Sequence, residues 1–281
     1  MDGNLFLIVI AFIWIIVAVI QDFKRREVAN WLNFSLIIFA LAYRLFYSIF
    51  TSNYQFFIQG AIGFLIFLVL GNIFYYSRIF AGGDAKLFIA LGSVLPFSLF
   101  FKENLQIFIV FIFAFMILGG VYGLIYSFFM LFKNRKQFLR LFKVELKKRK
   151  GLFLISIIFA FIMVIIVLSM QIQNLFFLPL VFLFFPLLYI YAKALEECMS
   201  IEVKTNKLTE GDWLYENIRI KGKTIKATWD GLTKKDIEFL KKYKKIIRIK
   251  QGIPFTPSFL FAFIFIVFLW YSSWKFVDLI L

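Results

Sequence analysis

The sequence predicts an all-α polytopic membrane protein: about eight transmembrane helices, with a small cytoplasmic α+β module before the last one. Three observations lead there. The chain is 62% hydrophobic over 281 residues, with a mean hydropathy of +0.88, whereas a soluble domain holds about 45–50% apolar residues. Its apolar residues fall in blocks of roughly 20, the length that crosses about 30 Å of hydrocarbon. Finally, basic residues alternate from one join to the next, as expected when Lys and Arg stay in the cytoplasm.

Taken in order, the spans are read at 4–21, 31–50, 56–76, 85–101, 105–132, 151–170, 175–192 and 258–279. The first apolar run, Leu5–Ile20, has no basic start and no small-residue cleavage site, so it reads as a span rather than a removable signal. Lys24, Arg25 and Arg26 follow it, the neutral Thr51–Gln55 follows the second span, and Arg78 and Lys86 bracket the third join. A strongly basic loop, 133–150, follows the fifth span, and the neutral stretch 171–174 separates the sixth from the seventh. With the basic joins in the cytoplasm, all of the 32 Lys and Arg except Arg44, Lys102 and Lys275 fall on that side, and both termini lie outside. The net charge of +16 is then explained by topology and needs no nucleic acid. The basic loops read as anchors to anionic lipid of the cell membrane.

This divides the chain into a five-helix core (1–132), the basic loop (133–150), an added helix pair (151–192), the cytoplasmic module (193–257) and the last helix (258–281). Gly60, Gly63 and Gly71 in the third span, and Gly119 and Gly123 in the fifth, mark close helix approaches. Pro179 and Pro186 predict kinks in the seventh. In the module, Asn217–Ile220 and Thr224–Thr228 flank Lys221-Gly222-Lys223 as the arms of a hairpin. Thr233-Lys234-Lys235-Asp236 reads as a capping box opening a helix to about Tyr243, and Ile246–Ile249 as a returning strand.

The residue inventory limits the chemistry. There is no histidine, so a Ser-His-Asp triad, a His-ligated metal and a His acid–base catalyst are excluded. The single cysteine, Cys198, excludes an internal disulfide and a Cys-rich zinc site. No metal or cofactor is expected.

Two carboxylates stand out. Asp84 follows Gly82 and Gly83, which predict a tight turn at the mouth of the fourth span; Asp22 ends the first. The first span runs inward and the fourth outward, so both acids reach the cytoplasmic face. Each has a plain reading by itself: Asp84 as a helix N-cap, Asp22 as an interfacial charge beside Lys24, Arg25 and Arg26. Together they read as a pair that shares a proton, one acting as general base on water while the other protonates a peptide carbonyl. From the helix poles alone, Asp84 is expected to be the ionised base and Asp22 the proton carrier.

At these residues the sequence resembles the type IV prepilin and preflagellin peptidase family of membrane aspartic proteases. The family's first aspartate, with its basic stretch and Ile-Pro-Asn-like triplet, is matched by Asp22-Phe23-Lys24-Arg25-Arg26-Glu27-Val28-Ala29-Asn30. Its Gly-x-Gly-Asp-x-Lys motif is matched by Ala81-Gly82-Gly83-Asp84-Ala85-Lys86. Ala29 stands where the family usually has proline, and Ala81 where it has the first glycine. A weaker likeness to archaeal members covers 208–260, around Glu210–Leu214 and Gly252–Pro257. The resemblance implies that Asp22 and Asp84 are the catalytic pair, supported by Gly82, Gly83 and Lys86. It implies substrates that are small membrane proteins, prepilin or preflagellin precursors, cut after a short basic leader at the cytoplasmic face. Glu210 and Asp212 are candidate leader contacts. The alternative is a transporter or a non-catalytic scaffold with a basic module; the scarcity of ionisable residues at mid-span weighs against the first.

Overall fold

The computed structural model describes residues 3–169, 177–228, 231–243, 246–250 and 252–272. The neutral join 171–174 and the end of the last expected span lie outside the described residues. Among those described, six helices are long and apolar enough to cross a membrane. They are α1 (Gly3–Arg25), α2 (Asn30–Thr51), α3 (Gln55–Tyr76), α5 (Phe101–Lys133), α7 (Lys150–Ser169) and α8 (Leu178–Cys198). The eight expected spans are thus met by six helices of spanning length. The fourth is α4 (Gly82–Gly92), only 11 residues long, and the last is α10 (Pro257–Tyr271), described over 15 residues.

The chain divides into two compact units, one comprising residues up to Ile125 and from Ile253 onward, the other Tyr126–Gly252. In the first, the core is aromatic. Phe67, Phe88, Phe111, Phe115 and Phe259 are buried, and Phe67 stacks on Phe88 with ring centroids 4.5 Å apart. Glycines bring α3 and α4 together: a Cβ on Gly63 or on Gly92 would collide with the other's carbonyl oxygen. Such close backbone approach replaces the hydrophobic drive that helices lack inside lipid.

α4 stops early for a definable reason. Ser93 turns its hydroxyl back to the Ala90 carbonyl at 2.7 Å, and Pro96 brings no N–H to continue the ladder. The carbonyls left over are taken by Arg44 of α2, which is wholly buried. Its Nε donates to Ser93 O (2.9 Å), its Nη2 to Val94 O (2.9 Å) and Pro96 O (2.7 Å), and its Nη1 to Phe56 O (3.0 Å). Irregular backbone at membrane depth persists only where the protein satisfies it, and here one guanidinium does so. Arg44 therefore departs from the charge pattern because it is a structural ligand.

In the second unit, the basic stretch 133–150 is helical rather than a loop: α6 (Arg135–Lys148) follows α5. Its pattern is amphipathic, with Phe138, Leu141 and Phe142 packing with Tyr191, Ala194, Leu195 and Cys198 of α8. Buried Glu145 answers the basic residues beside it, at 3.2 Å from Lys148 and 3.0 Å from Arg149. Pro179 lies in the first turn of α8, where a missing N–H costs nothing, so it produces no kink; Pro186 lies inside the helix.

The module is α+β. Strands β1 (Ser200–Lys204), β2 (Trp213–Leu214) and β5 (Ile246–Lys250) form an antiparallel sheet in the order β1-β5-β2. β3 (Ile218–Ile220) and β4 (Lys223–Ile225) form the expected hairpin, and its turn residues Lys221 and Gly222 take φ of 47° and 82°. Positive φ at both turn positions gives the twist that two-residue hairpins need. The helix α9 (Lys234–Tyr243) opens on the expected box: Thr233 Oγ1 donates to Asp236 Oδ2 at 2.6 Å, and Asp236 N donates to Thr233 Oγ1 at 3.3 Å.

Candidate active site

The two motif segments lie against each other in the first unit. Asp22 sits in the last full turn of α1, where Arg26 N closes the helix on Asp22 O at 2.8 Å. Arg26 then takes φ 58°, the left-handed conformation that ends a helix. The chain turns through Glu27 and buried Val28 and enters α2 at Asn30. Asp84 lies in the first turn of α4 and is half-buried. Two contacts join the segments. Gly83 packs on Val28, with space for a Cβ only 3.4 Å from the Val28 nitrogen. Lys86 Nζ donates to Asn30 Oδ1 at 2.7 Å. These contacts bring the Asp22 and Asp84 segments to one place in the first unit, although 61 residues separate the two acids in the chain.

The expected glycine turn takes another form. Gly82 and Gly83 are the first residues of α4 and neither has a positive φ; the left-handed turn before them is at Arg78, φ 61°. Gly83 lies in ordinary contact with the Val28 turn instead. Lys86 serves as a strut to α2.

Both departures from the family pattern are explained by backbone conformation. Ala29 has φ −63° and ψ 136°, a proline-like conformation. Its N–H, which proline would lack, donates to Gln21 Oε1 at 2.9 Å. Ala81 has φ −69° and ψ 159°, ordinary extended backbone that needs no glycine.

One residue at the site escaped sequence reasoning. Thr256, buried at the start of α10, donates twice to Asp22 Oδ2, from its backbone N at 3.0 Å and from Oγ1 at 2.9 Å. The only local signal is Thr256-Pro257, a capping residue followed by proline at the first helical position. Nothing in the sequence says which carboxylate that pair meets, 234 residues away. No hydrogen bond to the Asp84 carboxylate forms among the described residues. The hydrogen bonds thus fall on the acid that the helix poles had made the proton carrier, because α10 brings a second helix N-terminus to the end of α1. Asn33, one turn beyond Asn30 on α2, is buried with neither amide atom partnered among the described residues.

The acids of the module are used locally. Asp212 Oδ2 accepts from Thr209 N at 2.8 Å, and exposed Glu210 lies 3.7 Å from Lys234. Among the described residues, no three His, Cys, Asp or Glu side chains gather as a metal site.

Comparison with known proteins agrees with the motif reading over the first part of the chain. Residues 9–124 match the type IV leader peptidase family. The chain is 33% identical to a preflagellin peptidase of Methanococcus maripaludis over 88 residues, 31% of this chain and 38% of that one. It is 32% identical to a preflagellin peptidase of Methanocaldococcus jannaschii over 88 residues, 31% of this chain and 37% of that one. The matched stretch therefore spans less than two fifths of these relatives' length. No solved structure matches the chain.

Proposed function

We propose that this chain is a membrane aspartic endopeptidase that removes the short basic leader of prepilin-like or preflagellin-like precursors at the cytoplasmic face. The observation that carries this reading is the meeting of the two motif segments, with Gly83 against Val28 and Lys86 tied to Asn30. The likeness of residues 9–124 to leader peptidases supports it. The cytoplasmic placement rests on the distribution of basic residues.

The chemistry follows from two carboxyl groups sharing one proton. The ionised member takes a proton from water, and the oxygen of that water adds to the peptide carbonyl carbon. The protonated member passes its proton to the carbonyl oxygen, giving a neutral tetrahedral diol. The first acid then returns its proton to the amide nitrogen as the carbon–nitrogen bond breaks. One hydroxyl of the diol gives its proton back to the second acid as the carbonyl re-forms, leaving a carboxylic acid on one product, an amine on the other and the pair again with one proton.

In the module, Glu210 is the stronger candidate for a leader contact, since its side chain is 58% exposed while Asp212 closes its own turn. The exposed basic residues of α6 fit an anionic lipid surface better than a basic leader. The test is cleavage of a leader-bearing precursor in membranes holding wild-type, Asp22→Asn or Asp84→Asn protein at equal levels. Cleavage by wild type alone is expected; persistence in either variant overturns the reading. Charge reversal at Glu210 that leaves cleavage unchanged would remove it from leader recognition.

A further inference from the structure

We infer that Thr256 is a positioning residue that divides labour within the pair, making Asp22 the base, reacting through Oδ1, and Asp84 the proton donor. This rests on the aspartic-peptidase reading above and goes beyond it, since the motifs alone assign no roles within the pair. A carboxylate oxygen carries two lone pairs. On Asp22 Oδ2 both are occupied, one by the Thr256 N–H at 3.0 Å and one by its hydroxyl at 2.9 Å. Oδ2 has no place left for the shared proton, and Oδ1 is the oxygen free to take one from water.

The donors are firmly held. Thr256 is wholly buried, and Pro257 after it starts α10 without an N–H of its own. The Thr256 amide is one of the orphan donors of a helix N-terminus and has no partner within α10. Aimed at a carboxylate, it adds the positive pole of the helix to two hydrogen bonds. Aromatic packing sets its position. Phe255 and Phe259, either side of Thr256, both rest on Phe115, with ring centroids 5.5 Å and 4.4 Å away. Phe80, just before the Asp84 segment, rests on the same Phe115 ring at 5.5 Å. Gly119, one turn further along α5, leaves room for the Phe255 ring where a Cβ would press at 2.9 Å. One ring of α5 therefore keys both the holder of Asp22 and the approach to Asp84.

Asp84 has the complementary surroundings. It receives no hydrogen bond among the described residues and faces the Asp22 charge. The other charged groups near the pair in the chain are Lys24 and Arg25 at the end of α1 and Arg26 and Glu27 in the turn after it, and Lys86 is engaged by Asn30. The shared proton therefore belongs on Asp84, from which it passes to the substrate carbonyl oxygen.

The test uses the full-length protein in membranes and compares Thr256→Val, Thr256→Ser, Asp22→Asn and Asp84→Asn. Losing a hydrogen bond to a charged group costs about 1.5–3 kcal/mol. Thr256→Val is accordingly expected to lower kcat roughly 10- to 100-fold with KM unchanged. Thr256→Ser, which keeps the hydroxyl, is expected to restore kcat to within about threefold of wild type. Valine within that range while both Asn variants are inactive overturns the role of Thr256 and leaves the peptidase reading standing. Cleavage by Asp22→Asn overturns that reading itself. A measurement independent of the valine variant's folding is infrared spectroscopy of the protonated-carboxyl band. In the wild-type protein the band is expected at the high frequency of a carboxyl that accepts no hydrogen bond, as at Asp84; a band lowered by hydrogen bonding, as Thr256 imposes on Asp22, overturns the assignment.

Discussion

The two ends of α4 hold ionisable groups in opposite circumstances. At its C-terminal end Arg44 is surrounded by carbonyl oxygens, four of them within 3.0 Å, and lies against the Phe56 ring 4.4 Å from its centroid. At its N-terminal end Asp84 faces a second acid and has no hydrogen-bonded partner among the described residues. Three of the carbonyls that satisfy Arg44, those of Ser93, Val94 and Pro96, are left over where α4 stops, and the fourth, Phe56 O, belongs to α3. Asp22, by contrast, has one oxygen anchored by Thr256 and one left over. A charge whose partners are complete makes structure; a charge with an unused atom beside a like charge is equipped for proton transfer. α4 is short because one end must be tied off and the other must open the site.

The largest effect is expected from breaking the tied-off end. Arg44→Leu strands four buried carbonyls, and removing one partner from such a buried arrangement costs about 3–5 kcal/mol. Thermal unfolding in detergent is expected to show a large loss of stability, with cleavage lost through the fold. A variant as stable as wild type would mean that water replaces the guanidinium. The contrast at the other end is that Asp22→Asn and Asp84→Asn are expected to abolish cleavage but leave the melting temperature nearly unchanged, because asparagine keeps the shape of the acid it replaces. Unfolding of either variant would make the carboxylates structural.

Asn33 sharpens the comparison from within the same helix. Its amide is buried on α2 between Asn30 and Arg44, and an unpaired buried amide costs about 1–3 kcal/mol. Asn33→Leu is expected to raise stability by an amount of about that order. If stability falls instead, the amide has a partner in the working protein. The smallest effect lies in the module, far from these questions in the chain. The Thr233 hydroxyl, its N–H and then Lys223 hold the Asp236 carboxyl below its usual range. A folded-state value below the unfolded one adds stability that is present above about pH 4 and lost as the pH falls through the folded value. Thr233→Ala is expected to cost about 1 kcal/mol and to flatten that acid dependence in urea titrations. An unchanged pH profile would show that the cap contributes nothing.

How much of this was legible varies with the range of the interaction. The hairpin at Lys221-Gly222, the cap at Thr233 and the sheet-forming Ile246–Ile249 were readable because each depends on neighbours a few residues away. The spanning helices were readable because lipid reads hydrophobicity in 20-residue blocks, a property of the linear chain. Where two local signals compete, sequence reading fails. Residues 85–101 are apolar throughout, so they resemble a full span, and only the Arg44 carbonyl ligands and Pro96 show why the helix ends at Gly92. The stretch 133–150 resembles a loop by charge, yet its apolar positions at helical spacing form α6 against α8.

The sequence by itself determined the helical, strongly apolar class of the chain, the two motif segments and the lack of histidine among its 281 residues. Each is a matter of composition or of local order, and each survives any arrangement of the helices. The tertiary structure decided which groups complete those segments: that Arg44 ties off α4, that Lys86 braces Asn30, and that Thr256 at the start of the last helix commits one oxygen of Asp22. A hydrogen bond depends on distance and direction in space, and a separation of 234 residues along the chain carries no information about either.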